Sequence, residues 1–128
     1  MTPRRLMPAL AAALLVLAAA CVPTTTPDGA ACAEASVEVT LAFTDEGLDP
    51  SAPSVCRDQE ITLRVTSHAD GVLHIHGYDD EVPAFQVAAG DETEVTFTAG
   101  RSGQFPVEFH AANDPAGVEV GVFTVHEP

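Results

Sequence analysis

The sequence predicts an all-β protein that folds as an antiparallel β-sandwich of seven or eight strands. From residue 32 onward, apolar and polar residues alternate with a period of two along several short stretches. Turn segments rich in Gly, Pro, Asp and Ser separate these stretches. Because successive side chains of a strand point to opposite faces, such strands have one buried and one solvated face and pack as two sheets.

The alternation is clearest in five stretches, and a sixth apolar run closes the chain. No window in this part of the chain has the 3.6-residue period of a helix. The Pro-rich segment 45–54 is interpreted as a connection between the first two stretches. The predicted strands lie within residues 37–43, 61–65, 73–76, 95–97, 105–110 and 118–125.

Residues 1–20 are predicted to be a signal peptide. Arg4 and Arg5 precede an apolar run over residues 6–20, which has the length of a signal-peptide core and is short for a membrane span. The small residues before Cys21 resemble a bacterial lipobox, in which cleavage leaves the Cys as a lipidated N-terminus. We therefore expect an exported protein anchored on the outer face of the bacterial cytoplasmic membrane. The alternative is an ordinary signal peptide cut at Ala-x-Ala.

The rest of the chain divides into a tether and one domain. Residues 21–31 carry the predicted lipid anchor and a flexible tether rich in Pro and Thr, and residues 32–128 form the domain. Lipidation of Cys21 would leave Cys32 and Cys56, an even pair in a compartment that permits disulfides. We expect these two cysteines to be bonded, and the alternative is two buried free thiols.

The acidic composition excludes two classes of partner. The chain has a formal net charge of −14, and from Cys21 onward 19 acidic residues oppose three Arg, a net charge of about −16. Such a field repels nucleic acids and anionic membrane surfaces. We therefore expect contact with the membrane only through the lipid anchor, and no binding of nucleic acid.

Two pairs of candidate metal ligands follow from the alternation. If the apolar residues beside them face the core, His74 and His76 point outward together, with Cβ atoms about 7 Å apart. By the same logic Glu108 and His110 share an outward face, and each pair lies where its strand ends. If the two strands are neighbours, the four side chains converge, and imidazole with carboxylate suits Cu(II) or Zn(II).

The alternative for each pair taken alone is a solvated surface residue, which is what an outward His on a strand usually is. His68, in a turn, and His126, near the end of the chain, have no such neighbours and are interpreted as surface residues. The sequence has no Gly-x-Ser-x-Gly motif, phosphate-binding loop or dinucleotide fingerprint. We therefore expect a protein that is not an enzyme.

Three stretches together resemble a known family: "EITLRVTS" leading to "HIHGYD", then "AAGDETEVTFTAGRSGQF", and last "FHAANDPAGVEVGVFTV". Through them residues 36–126 resemble the cupredoxins, the plastocyanin-like copper proteins, and the last stretch is similar to the ligand loop and closing strand of that family. The chain looks most similar to divergent cupredoxin-like domains of bacterial envelope lipoproteins and of iron-uptake-associated proteins. The resemblance implies a Greek-key sandwich.

The residues of a blue-copper site are only partly present. The resemblance places the family's first His ligand at His74 or His76, of which His76 is nearer the end of its strand, and makes His110 the best second ligand. The family's Cys would fall on or beside Phe109 and its Met near Val118. The C-terminal half of the chain has no Cys, and both Met residues lie within the first seven positions.

Three functions follow as hypotheses. In the first, His74, His76, Glu108 and His110 bind a metal ion, Cu(II) above all with Zn(II) as the other candidate, for metal handling in the envelope, with a partner protein that the sequence does not name. In the second, a metal-free sandwich binds a partner protein or an extracellular ligand. The third, electron transfer by blue copper, is opposed by the absent Cys.

Overall fold

The computed structural model describes residues 31–128. The predicted signal peptide, Cys21 and nearly all of the tether lie outside the described residues. A short 3₁₀ turn at Ala31–Ala33 precedes the first strand, and the rest of the described chain is strands, turns and loops. No helix within residues 31–128 has the length and apolar character needed to cross a membrane.

Nine strands within residues 31–128 form two sheets, which confirms the predicted β-sandwich with more strands than the predicted seven or eight. The four-stranded sheet has the order β2-β1-β4-β7 and the five-stranded sheet the order β3-β9-β8-β5-β6. Most pairs are antiparallel, but β1 pairs with β4 and β3 with β9 in parallel. The strands are β1 (Ser36–Thr44), β2 (Gly47–Asp49), β3 (Ser54–Cys56), β4 (Glu60–Ser67), β5 (Gly71–Ile75), β6 (Phe85–Val87), β7 (Glu92–Thr98), β8 (Gly103–Ala111) and β9 (Val118–His126).

All six predicted strands are present, and three short strands were not predicted. β2 and the start of β3 lie in the Pro-rich segment 45–54, which was interpreted as a connection, and β6 follows the turn after β5. Each of these strands has three residues. Three residues are too few to display a period of two, so the alternation could not indicate them.

The apolar face of each strand forms the core between the sheets. In β4 the alternation buries Ile61, Leu63 and Val65, each at most 2% exposed. In β5 it buries Leu73 and Ile75, which are 1% and 3% exposed. Because these two residues face inward, the outward-facing positions of β5 are fixed on the solvent side of the five-stranded sheet.

A disulfide fastens the first described residues to the sandwich. Cys32 and Cys56 are bonded, with Cα atoms 5.4 Å apart, which confirms the predicted pair. The buried Gln59 side chain reinforces the junction, because its amide donates to the carbonyl oxygens of Ala31 and Glu34. Cys56 lies beside His126 at the end of β9, so this junction marks one end of the five-stranded sheet.

Candidate metal centre

The two ligand pairs lie on adjacent strands, as predicted. β5 and β8 are antiparallel neighbours, and their register sets His74 directly opposite Glu108. The next outward position of β8, His110, lies opposite Val72. All four candidate side chains therefore lie on the outer face of the five-stranded sheet.

Each pair lies at the end of its own strand, but the expectation from the cupredoxin resemblance that both ends meet at one pole of the sandwich is wrong. β5 ends at Ile75, which lies opposite Val107 in the middle of β8, and the next residue, His76, donates its backbone N–H to the carbonyl of Pro106. Antiparallel pairing places the ends of two neighbouring strands at opposite ends of their ladder. The candidate ligands consequently spread diagonally across the face of the sheet.

The carboxylate of Glu108 is the centre of the group. Its Oε2 atom lies 3.9 Å from Nδ1 of His74, 3.9 Å from Nδ1 of His76 and 3.6 Å from Nε2 of His110. One ligand atom each from His74, His76 and Glu108 can be chosen so that all lie within 4.8 Å of one another. His110 adjoins this group through Glu108.

These separations suit a single ion. Imidazole nitrogens and carboxylate oxygens bind zinc-like ions at about 2.0–2.2 Å, so two ligands of one ion are at most about 4.4 Å apart. The distances of 3.6–3.9 Å from Glu108 Oε2 fall within that bound. His74, His76 and Glu108 are therefore close to the spacing that one ion requires, whereas His110 contacts Glu108 from outside that group and would have to move to join it.

The loop between β8 and β9 sets the orientation of His110. The ring nitrogen Nδ1 lies 3.2 Å from the carbonyl oxygen of Pro115, which can only accept a hydrogen bond. A neutral His110 bonded in this way carries its proton on Nδ1 and has a lone pair on Nε2, the atom that faces Glu108. Two acceptors that face each other repel unless a proton or a metal cation lies between them, so this arrangement can accept either one.

Gly117 leaves open the space beside these two acceptors. A Cβ atom at this position would lie 2.8 Å from His110 Nε2 and 3.1 Å from Glu108 Oε2. Any other residue would push into the side chains that the site brings together. The cradle therefore fits a small ion held by imidazole and carboxylate, the donor set that Cu(II) and Zn(II) accept.

Asp79, in the turn after β5, also contacts the group. Its Oδ1 atom lies 2.6 Å from Nε2 of His74. This hydrogen bond from His74 is the main cause that holds the pKa of the Asp79 carboxyl below its ordinary value of 3.8. Asp79 is therefore ionised at neutral pH and adds negative charge beside the candidate ligands.

The four candidate ligands differ in exposure. The side chains of His74, Glu108 and His110 are 21%, 29% and 30% exposed, whereas that of His76 is 63% exposed. His76 is thus the ligand on the solvent side of the group. The group is closed by the sheet on one side and open to solvent on the other.

The other two histidines of the chain lie away from the group. His68 is exposed, with its ring 4.7 Å from that of Phe43 on the far side of β8 from Glu108. His126 lies at the end of β9, beside Cys56. Both positions serve as controls for experiments on the site.

Solved structures share this arrangement of strands. A multicopper oxidase, mgLAC, matches 73% of this chain with a TM-score of 0.55 at 16% identity. An auracyanin from Roseiflexus castenholzii matches 72% with a TM-score of 0.52 at 23% identity, and auracyanin A from Chloroflexus aurantiacus, a "blue" copper protein, matches 71% with a TM-score of 0.53 at 14% identity. The chain has a cupredoxin fold.

The matched parts differ in extent. The match with this domain covers 39% of the multicopper oxidase, but 98% and 99% of the two auracyanins. No family model matches the sequence. No curated protein matches it either. At these identities the structural likeness establishes the fold and leaves the site to be judged from its own residues.

The residues of this domain do not fit a blue-copper centre. Such a centre needs a Cys thiolate and a long axial ligand, usually Met. At the positions that the resemblance assigns to Cys and Met, this chain has Phe109, whose ring packs 4.5 Å from that of Phe43, and Val118, which is 62% exposed. Phe109 thus points away from the Glu108 side of β8. The group offers only nitrogen and oxygen as ligand atoms.

Proposed function

We propose that this cupredoxin domain binds one Cu(II) ion through His74, His76, Glu108 and His110. The observation that carries the proposal is the convergence of three imidazoles on one carboxylate oxygen, at 3.6–3.9 Å. Divalent copper stands at the top of the affinity order for nitrogen and oxygen sites, whereas Cu(I) prefers thiolate and thioether ligands. The bound metal would supply a positive charge on the solvent-exposed face of the sheet.

The proposed role is metal handling outside the cytoplasm, such as storage, delivery or sensing, by a protein that is not an enzyme. A site without a thiolate favours one oxidation state of copper and is poorly suited to rapid electron transfer. Auracyanin A is a "blue" copper protein and mgLAC a multicopper oxidase, so the fold is one on which copper sites are built. The proposed export and lipid anchoring at Cys21 would place this domain on the outer face of the membrane.

A metal-free binding module is the second candidate. An open cleft of about 410 Å³ is lined by apolar side chains that include Phe43, Phe109 and the exposed Val118. Exposed apolar surface often marks a contact with a partner protein or ligand. The two functions use different surfaces, so loss of one leaves the other measurable.

The test is a Cu(II) competition titration of exported protein purified without a His-tag. We expect one Cu(II) per chain and a large loss of affinity in His76→Ala and in His110→Ala. Histidine must be deprotonated to bind a metal, so affinity should fall as the pH drops through about 6.5. His68→Ala and His126→Ala are the matched controls and should retain wild-type affinity.

Two results would contradict the proposal. If the double variant of His76 and His110 binds Cu(II) as well as the wild type does, the ion lies elsewhere on this acidic surface. If protein purified from its own compartment carries no metal and gains none in the titration, the binding-module function is favoured.

A further inference from the structure

The contact between His74 and Asp79 determines which nitrogen of His74 is available. An ionised carboxylate has lone pairs and no proton, so the 2.6 Å contact requires a proton on Nε2 of His74. In the neutral imidazole the lone pair then belongs to Nδ1. That is the atom 3.9 Å from Oε2 of Glu108.

Residues on both sides of Asp79 fix the conformation of the turn that contains it. Gly77 adopts a positive φ of 77°, which favours glycine, and lets the chain turn sharply after His76. Tyr78 is fully buried, with its ring 4.4 Å from that of Phe105. Glu81 forms a bidentate ion pair with Arg101, with distances of 2.7 and 3.0 Å. Asp79 therefore stands at a fixed position relative to β5.

We propose that Asp79 is a positioning residue for the metal centre, which holds His74 in the tautomer that presents Nδ1 to the ion. This inference rests on the proposed function and adds a residue outside the four ligands. A carboxylate behind a metal-binding imidazole fixes its tautomer and orientation and makes the ligand more basic.

The size of the effect follows from comparable residues. Loss of such a partner typically weakens metal binding by about 10- to 100-fold. His74 is the least exposed of the three imidazoles, so its ring orientation depends on its neighbours more than that of His76 does. Asp79 itself is 57% exposed, so its replacement should leave the fold intact.

The first measurement is the tautomer of His74 in metal-free protein, read from ¹⁵N NMR of the ring at about pH 8, where imidazoles are neutral. The wild type should hold the proton on Nε2, and Asp79→Ala should give a mixture of the two tautomers. Asp79→Asn retains an oxygen that can accept the same hydrogen bond, and should restore most of the Nε2–H form.

The second measurement is Cu(II) affinity by competition titration. Asp79→Ala should bind about 10- to 100-fold more weakly than the wild type, with Asp79→Asn in between. Asp80→Ala removes the same charge from the exposed neighbouring position and is the matched control, expected to stay within about twofold of the wild type.

The outcomes separate the inference from the proposed function. An unchanged tautomer in Asp79→Ala, or a Cu(II) affinity equal to that of Asp80→Ala, would overturn the role of Asp79. If the wild type holds the Nε2–H tautomer but binds no Cu(II), the proposed function fails, and the NMR comparison alone decides whether Asp79 sets the tautomer.

Discussion

Gly117 lies against the imidazole of His110 so closely that a single added methyl group would fall 2.7 Å from Cε1 and 2.8 Å from Nε2. Gly117 does not have the positive φ of a glycine turn. The reason for a glycine here is therefore space rather than backbone conformation. It leaves room for the imidazole of His110 and for the carboxylate of Glu108.

Gly117→Ala should therefore weaken Cu(II) binding without removing any ligand. The added Cβ must displace His110 or Glu108, and we expect a loss of about tenfold, comparable to the loss of a residue that orients a ligand. Competition titration measures the effect, and circular dichroism checks the fold. Gly100→Ala is the matched control, since its Cβ would make only ordinary contacts of 3.6 Å or more. Equal affinity for both variants would place the ion away from His110.

The spectrum of the copper-loaded protein should be that of a site without sulfur. Intense blue colour needs a Cys thiolate on Cu(II), and the cysteines of residues 31–128 are joined in the Cys32–Cys56 disulfide. The Cu(II) protein should be pale, with a tetragonal paramagnetic resonance signal and nitrogen hyperfine structure from imidazole. An intense blue band would show that the assigned ligands are wrong.

The disulfide should stabilise the domain without affecting metal binding. Its cysteines are 24 residues apart, and closing such a loop contributes about 3 kcal/mol in the chain-entropy model. The double Cys32→Ser, Cys56→Ser variant should lose about that much free energy of unfolding in urea denaturation. Its Cu(II) affinity should be unchanged, because the disulfide is far from His110. Cys56 pairs with the last residue of β9, whereas Phe109, the neighbour of His110, pairs with the first. Two alkylatable thiols in native exported protein would contradict the disulfide.

The ion pair of Glu81 and Arg101 should make stability depend on pH. The hydrogen bond from Arg101 is the main cause that lowers the pKa of Glu81 from its ordinary value of 4.5. A lowered folded-state pKa stabilises the protein above the unfolded pKa, and this contribution disappears as the pH falls through the folded value. Glu81→Gln should thus be less stable than the wild type at neutral pH, with a difference that shrinks in acid.

Chemical denaturation at several pH values measures this difference. Asp80→Asn removes a neighbouring charge without breaking that ion pair, and should show no comparable pH-dependent loss. A stability difference between Glu81→Gln and the wild type that grows below pH 4.5 would contradict the assignment.

The sequence could predict the face of each candidate ligand but not its surroundings. The alternation of apolar and polar residues predicts that His74 and Glu108 point outward, because their neighbours Leu73 and Val107 are apolar. Both neighbours are buried in the structure. Periodicity contains no information on register, so it could not show that β5 ends beside the middle of β8. The register of β8 against β9 is also irregular, because a shift follows Val107.

The residues that the sequence did not indicate lie in turns. Asp79 belongs to a run of acids that is typical of a solvated turn. Its contact with His74 is set by the conformation of that turn, in which the neighbouring Tyr78 is buried. Pro115 and Gly117 act through a backbone carbonyl and through the absence of a side chain. A pattern of residue types shows neither a carbonyl contact nor the space that a missing side chain leaves. The one available signal was Gly117 itself, a glycine directly before β9.

The Cys32–Cys56 disulfide lies at one end of the five-stranded sheet, and His110 lies toward the other end. The disulfide fixes Cys32 beside the last residue of β9, His126, whereas His110 lies near the first residue of β9, about 26 Å away at the usual rise per residue. An attachment through residues before 31 would therefore connect to the domain at the end of the sheet that is remote from His110. The exposed imidazole of His76 lies beside Pro106 and faces outward, so a second protein could approach the proposed metal site from the outer face of the sheet.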